Sequence, residues 1–411
     1  MVWVVLMMSR FSFKRFRVTS LFIFFFLISS LSLITISAFA QRKVPQRAVR
    51  ITITGRVLDD ATGDPLEDVN VFLANTMMGA ATNANGEFTI RGVPAGTFDL
   101  VVSRLGYRVD TRHLIISEEN RDRLAIRMIP RPYQAPEIEV TAKEIRKWHK
   151  NYLKFRRLFF SNTENAGDCR ILNPNVLEFQ RRKGGVFSAS AAEPLQIVNR
   201  ALGYRIYYVL EIFTASRTVI TMRGFSKFAE MVPHTPEEER RWQKNRKRAY
   251  RGSLKHFLAT LSESRRIESF SDKSENKFLA QAGFRVFHVK EPWGTRNKTR
   301  LHSLDEILKP LPSRKEGRLS FPDYLMVNYF KESPPEDYYN FGDKFGYPNK
   351  QISLIKLTAD SVLVDPMGNI CDDHGMRVDG FGIRTYGYWS WKRMADRLPW
   401  DYGYPQRRKI L

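Results

Sequence analysis

Between Ile51 and Met128 the chain runs in short stretches of alternating apolar and polar residues, each closed by a turn built from Gly, Asn or Pro. A period of two buries one face of a strand and cannot bury one face of a helix, so this stretch is constrained to β-structure. The alternating positions are Ile51, Ile53 and Val57, then Val69, Val71 and Leu73, then Phe88 and Ile90, then Phe98, Leu100 and Val102, and last Leu124, Ile126 and Met128. The breaks are Thr62-Gly63-Asp64-Pro65, Asn83-Ala84-Asn85-Gly86 and Pro94-Ala95-Gly96. Gly and Asn accept positive φ and Pro fixes φ, so each break reverses the chain tightly. Roughly seven short strands at such spacing predict a sandwich rather than a meander.

Particular residues in this stretch carry a resemblance. Gly55-Arg56-Val57-Leu58-Asp59, Thr82-Asn83-Ala84-Asn85-Gly86-Glu87-Phe88, Val93-Pro94-Ala95-Gly96 and Ser103-Arg104-Leu105-Gly106-Tyr107 follow one another as in carboxypeptidase regulatory-like domains. The resemblance implies a transthyretin-like, carbohydrate-binding-like β-sandwich over residues 51–140. In carboxypeptidases such a domain follows the catalytic one and is not itself catalytic, whereas here it comes first.

Charge divides the chain. Residues 51–140 hold nine basic residues against thirteen acids, while the whole protein has a formal net charge of +23. Residues 141–411 carry most of that excess, so the two regions are expected to meet different partners. The first forty residues have the layout of a signal peptide: a basic stretch from Arg10 to Arg17, an apolar run Leu21–Ala40, and Ala38-Phe39-Ala40 before Gln41. The alternative is an uncleaved anchor, since about 20 apolar residues span a bilayer. Either way the chain is expected to be exported, with residues 41–50 as a basic linker. Its two cysteines, Cys169 and Cys371, form a candidate disulfide in an oxidising compartment, with two separate thiols as the alternative.

Residues 141–411 read as a larger, strand-rich α+β region, making the whole chain mainly β with α+β character. Lys143–Phe160 reads as a helix with Trp148, Tyr152, Phe155 and Phe159 on one face and Lys/Arg on the other. Ile206–Phe213 and Thr218–Met222 predict a long hairpin. A helix is expected from Pro236 to about Ser262, opened by Pro236 and Glu237-Glu238-Glu239, which oppose the positive end of the helix dipole. Phe284–Val289, Tyr324–Tyr329, Ile352–Leu357 and Ser361–Val364 alternate as strands, and the tail is aromatic from Tyr386 to Tyr404. Cys169-Arg170-Ile171-Leu172-Asn173-Pro174 and Tyr388-Trp389-Ser390 resemble segments of envelope proteins of Gram-negative bacteria that carry this sandwich. That resemblance implies a periplasmic or outer-membrane location, and the group has no established activity to carry across.

No catalytic constellation emerges. A zinc carboxypeptidase needs two His and a Glu on the metal plus a Glu base. The H-x-x-E at His288-Val289-Lys290-Glu291 lies at the end of a strand. Cys371-Asp372-Asp373-His374-Gly375 is the densest set of metal-ligating types, yet adjacent side chains rarely converge on one ion. Asn83–Glu87 is too short for a calcium loop. No metal, cofactor or catalytic residue is therefore assigned. The candidate binding residues are Lys244, Lys247, Arg248, Arg251 and Lys255 on the helix begun at Pro236, facing an anionic lipid or lipopolysaccharide surface. A solvated charge face over the apolar stripe Tyr250, Leu254, Phe257, Leu258 and Leu261 is the alternative. The expected function is a non-enzymatic envelope protein that binds a partner protein, a glycan or a membrane surface, and not nucleic acid. The alternatives are a hydrolase with its site in residues 141–411, or an accessory component of a TonB-dependent uptake system.

Overall fold

The computed structural model describes residues 50–117, 123–131, 141–268, 277–291, 298–300, 304–311, 316–339, 349–371 and 382–402. The expected signal peptide, the linker up to Val49, a strand expected at Glu137–Val140, and Asp372, Asp373, His374 and Tyr404 lie outside them.

Seven strands make the expected sandwich: β1 (Arg50–Asp59), β2 (Asn70–Leu73), β3 (Gly79–Ala81), β4 (Glu87–Pro94), β5 (Gly96–Ser103), β6 (Asp110–Ile116) and β7 (Leu124–Met128). One sheet has the order β4-β1-β7, with β1 antiparallel to β4 and parallel to β7. The other, β3-β2-β5-β6, is antiparallel throughout. Val57, Val71, Leu73, Phe88, Ile90, Phe98, Leu100, Val102 and Ile126 fill the space between them, each such burial contributing about 1.5–3 kcal/mol. Arg50, expected in the linker, is already in β1.

The next unit is built on α1 (Ala142–Phe160) and a six-stranded sheet. Thr141 and Glu144 close a capping box at the start of α1, each satisfying a backbone donor of the first turn. The strands are β8 (Cys169–Ile171), β9 (Leu177–Arg181), β10 (Phe187–Ala191), β11 (Leu195–Asn199), β12 (Tyr204–Ala215) and β13 (Ile220–Glu230). The long β12 pairs with β11 near its start, with β10 near its end, and with β13 along its other edge. Phe155 and Phe159 of α1 pack on Phe213 and Tyr208 of β12.

The helix expected over Pro236 to Ser262 is two helices, α2 (Pro236–Tyr250) and α3 (Leu254–Glu268). The chain turns between them at Gly252, whose φ is +64°, a conformation that costs a side-chain-bearing residue energy. The rest is α4 (Lys277–Ala282), β14 (Phe284–Val289), β15 (Lys298–Arg300), β16 (Leu308–Pro310), β17 (Gly317–Leu319), β18 (Tyr324–Tyr329), α5 (Glu336–Tyr339), β19 (Gln351–Leu357), β20 (Val362–Val364), β21 (Ile370–Cys371), β22 (Ile383–Gly387) and α6 (Tyr388–Trp391). These strands form a five-stranded sheet, β15-β14-β18-β19-β22, and a four-stranded one, β16-β17-β20-β21. Phe257, Leu258 and Leu261 of α3 and the tail residues Tyr388, Trp389 and Trp391 fill their shared core.

The disulfide is not made. Cys169 lies in β8 and packs in the core of the six-stranded sheet, whereas Cys371 lies in β21 of the four-stranded sheet. Each remains a buried thiol donating to a nearby backbone carbonyl, Cys169 to Asn165 and Cys371 to Asn369. Burial pushes the Cys169 thiol pKa up, which disfavours the thiolate needed for exchange.

The sandwich is joined to the six-stranded sheet through a packed seam. Phe72, Ala74 and Val101 face away from the sandwich interior and are buried against Tyr207, Val209 and Phe225 of β12 and β13. Ser103 Oγ and Tyr207 Oη lie 3.1 Å apart. The β2–β3 loop then joins β13: Asn75 N–H donates to Ser226 O at 2.6 Å and Phe228 N–H to Thr76 O at 3.0 Å. The tail closes the same junction, with Trp400 N–H donating to Asn75 O at 2.7 Å.

Candidate functional site

The five basic residues picked out on the helix after Pro236 do not form one open patch. Arg248 Nη1 reaches Glu164 Oε2 at 2.5 Å, and its other amino group reaches Asn165 Oδ1 at 3.4 Å. Arg251 lies 3.7 Å from Glu332. Lys255 donates to the carbonyls of Pro399 and Trp400. Lys244, Lys247 and Arg251 stay exposed, and of these Lys244 and Lys247 have no ion-pair partner among the described residues. The cause is local: α2 ends beside the tail, so Lys255 at the start of α3 holds the tail while Arg248 in the last turn of α2 reaches back to Glu164. Lys392 of the tail completes this arrangement by donating to Arg248 O and Ala249 O, a cation at the negative end of a helix. Burial pushes the Glu332 carboxyl pKa up, while Lys392, Arg251 and Arg248 pull it back. This is a structural charge cluster that neutralises a half-buried carboxylate.

The helix with an open cationic face is α1. Phe155, Phe159 and Phe160 point into the core, and Trp148 anchors the same side by donating to Leu177 O at 2.9 Å and stacking on Tyr152. On the opposite side Arg146, Lys150, Leu153 and Arg157 are all exposed. Their spacings of four, three and four place them on one outward stripe. Lys143 and Lys147 flank the stripe and are exposed too. The lone acid of the helix, Glu144, is committed to the capping box. Arg181, Arg182 and Lys183, at the end of β9, add to the same neighbourhood. The Lys154 ammonium shows this: its pKa is lowered first by burial and then by the charges of Arg181 and Arg157. Lys154 holds its place with Nζ 4.5 Å from the centre of the Phe187 ring, a cation–π contact. Two apolar side chains are exposed on this helix, Ile145 at 56% and Leu153 at 49%. The Lys/Arg face of this helix is visible in the sequence; that it escapes internal pairing depends on which elements cover it.

The peptidase-like pattern resolves as structure. His288 Nε2 lies 3.0 Å from Pro322 O and 3.4 Å from Asp323, while Glu291 lies just beyond the end of β14. Among the described residues no group of three or more His, Cys, Asp or Glu could hold a metal. Asn83 makes a hairpin turn, its Oδ1 accepting from Asn85 N–H and Glu87 N–H. The aromatic tail is packed: Tyr388, Trp389, Trp391 and Trp400 are buried. Among the described residues no helix is long and apolar enough to cross a membrane.

Residues 53–140 match the family model of the CarboxypepD_reg-like domain, a regulatory, non-catalytic kind of domain. No curated protein matches the chain. Three solved structures are similar in part. A cohesin–X-dockerin complex from Acetivibrio cellulolyticus is 23% identical over 24% of this chain and 72% of its own, with a TM-score of 0.17. A 3-chlorocatechol 1,2-dioxygenase from Rhodococcus opacus is 16% identical over 22% of this chain and 62% of its own, TM-score 0.16. A candidate carbohydrate-binding protein from Bacteroides uniformis is 12% identical over 41% of this chain and 62% of its own, TM-score 0.17.

Proposed function

We propose that a chain opening on this regulatory-like sandwich is a non-enzymatic binding protein of the cell envelope, which docks on an anionic lipid surface through the outward face of α1. The observation that carries the reading is the stripe Arg146, Lys150, Leu153 and Arg157, flanked by Lys143 and Lys147 and open to solvent. Cations spaced around exposed Leu153 and Ile145 suit a bilayer interface, where charges meet headgroups and apolar side chains enter the acyl boundary. Export is supported by the Arg10–Arg17 and Leu21–Ala40 layout, and a mature N-terminus at Gln41 in mass spectrometry is its expected mark.

Each Lys or Arg near an anionic leaflet contributes about 1 kcal/mol. Replacing Lys143, Lys147 and Lys150 together by Gln is therefore expected to weaken co-sedimentation with phosphatidylglycerol vesicles by roughly a hundredfold at low salt. Replacing Lys244 and Lys247 is expected to do far less. Added salt should weaken binding of the wild type steeply. If the wild type fails to bind such vesicles at low salt, or the triple variant binds equally well, the docking reading is wrong. Stronger binding to an anionic polysaccharide than to vesicles would replace the lipid with a glycan.

A further inference from the structure

One end of the sandwich carries two large apolar side chains in water, Leu105 at 69% exposure and Ile129 at 51%. Scattered single apolar residues are ordinary on a surface, but two on adjoining segments make a patch. Leu105 and Gly106 form the turn between β5 and β6, closed by Tyr107 N–H donating to Arg104 O at 3.2 Å. Gly106 has φ +81°, and a Cβ placed on it would meet nothing within 4 Å, so the turn stands out into open space. Ile129 follows β7, where Ile126 and Met128 are buried and Arg127 and Ile129 point outward. Backbone bonds tie the two segments together: Arg108 N–H donates to Ile129 O at 3.0 Å and Arg131 N–H to Gly106 O at 2.8 Å. Tyr107 is fixed in turn by its bond to Asp59 and by Arg104, whose guanidinium carbon lies 5.5 Å from the ring centre. The exposure of the pair therefore belongs to a fastened tip and not to a loose loop.

Arg108, Arg127 and Arg131 surround the tip, all exposed and without an ion-pair partner among the described residues. One exposed acid, Asp60, stands close by, its N–H donating to Met128 O. The cations gather here although residues 51–140 hold nine basic residues against thirteen acids. We infer that this tip is a second contact of the protein with an anionic bilayer, Leu105 and Ile129 entering the acyl boundary while Arg108, Arg127 and Arg131 meet headgroup phosphates. The chemistry repeats that of α1, where Ile145 and Leu153 stand exposed among Lys and Arg. Guanidiniums suit phosphate because they donate two parallel bonds to it. A projecting apolar tip enters a fluid boundary directly, whereas a folded partner needs a pocket shaped to receive it. Both contacts belong to one body, since the sandwich and α1 pack on the same six-stranded sheet. Ten residues separate Arg131 from Thr141, so about 35 Å at most lies between them. Two linked contacts hold a surface more tightly than either alone. The inference rests on the docking reading for the identity of that surface.

The test uses the full chain and phosphatidylglycerol vesicles at low salt. Leu105→Gln with Ile129→Gln is expected to weaken co-sedimentation about tenfold. The melting temperature should not change, because neither side chain is packed. Leu105→Cys carrying an environment-sensitive dye should shift its emission to the blue when vesicles are added. The native Cys169 and Cys371 are buried and should take no label. Vesicle binding by the folded double variant equal to that of the wild type overturns the inference. So does emission that stays at its aqueous wavelength while vesicles are bound, which leaves a partner protein as the occupant of the tip. The chain with Lys143, Lys147 and Lys150 replaced by Gln separates the two contacts. If it releases vesicles and the tip variant does not, α1 docks and the tip does not. If the tip variant alone releases them, the tip is the contact and the α1 reading is wrong. A wild type that binds no vesicles ends both.

Discussion

Asp59, at the end of β1, accepts from the Ala61 and Thr62 N–H groups through Oδ1 and from Tyr107 Oη through Oδ2 at 2.7 Å. The Tyr107 hydrogen bond, ahead of those backbone donors, holds the Asp59 pKa below the usual carboxylate range, and the same bond pushes the Tyr107 pKa up. A depressed carboxylate contributes stability that is present above its unfolded pKa and lost as pH falls through the folded one. A raised tyrosine contributes stability that is present below its unfolded pKa and lost as pH rises through the folded one. Tyr107→Phe should therefore lower the urea midpoint most near neutral pH. The gap from wild type should close toward acid, below the ordinary Asp pKa of about 3.9, and toward alkali, above the ordinary Tyr pKa of about 10. A gap that stays constant from acid to alkali would show that the pair does not titrate as a unit. The Asp59 turn is legible in the sequence, because Asp before Thr62-Gly63-Asp64-Pro65 is turn chemistry. Its partner is not, since Tyr107 reaches it from a loop 48 positions away.

Among the elements, the break between α2 and α3 is the clearest departure from what periodicity suggests. Tyr250, Leu254, Phe257, Leu258 and Leu261 recur at helical spacing and read as one stripe on one helix. In the structure the stripe serves two cores. Ala249 and Tyr250 pack with the six-stranded sheet, while Phe257, Leu258 and Leu261 pack with the five-stranded one. The turn at Gly252 lets the chain pass from one to the other. A Cβ there would meet Gln351 Oε1 at 2.5 Å and Tyr329 Cδ1 at 2.6 Å, and the Gly252 carbonyl accepts from Trp389 Nε1 at 2.6 Å. Gly252→Ala is expected to cost about 1–3 kcal/mol through the strained φ alone, read as a lower urea midpoint at unchanged m. No loss of stability would mean that the corner relaxes without its contacts. The glycine itself is visible in the sequence, but one glycine in a helical pattern does not say whether the helix tolerates it or turns.

At the scale of the whole molecule, the sandwich is legible from its turns and its alternation, and its attachment is not. Phe72 between Val71 and Leu73, and Val101 between Leu100 and Val102, make these strands apolar on both faces, as in sheets covered on both sides. The covering layer is β12 and β13, more than a hundred residues later. All described tryptophans lie outside the sandwich, so their fluorescence reports on the region behind it. Phe72 is fully buried at the seam, with its ring 6.1 Å from that of Tyr207. Phe72→Ala is expected to cost about 3–5 kcal/mol and to lower the fluorescence-detected urea midpoint although the residue belongs to the sandwich. A midpoint unmoved by the substitution would mean that the two regions unfold independently. The tail carries a consequence for how this protein comes into being. Trp400 reaches back to Asn75, Ala395 accepts from Asn199, and Asp396 accepts from Asn165. Such contacts cannot form until the chain has been synthesised through Trp400, so a nascent chain must wait with its β2–β3 loop and β12–β13 edge uncovered. Long-range closure of this kind folds slowly and leaves aggregation-prone intermediates, which makes the stretch from Ala395 to Trp400 the keystone of assembly.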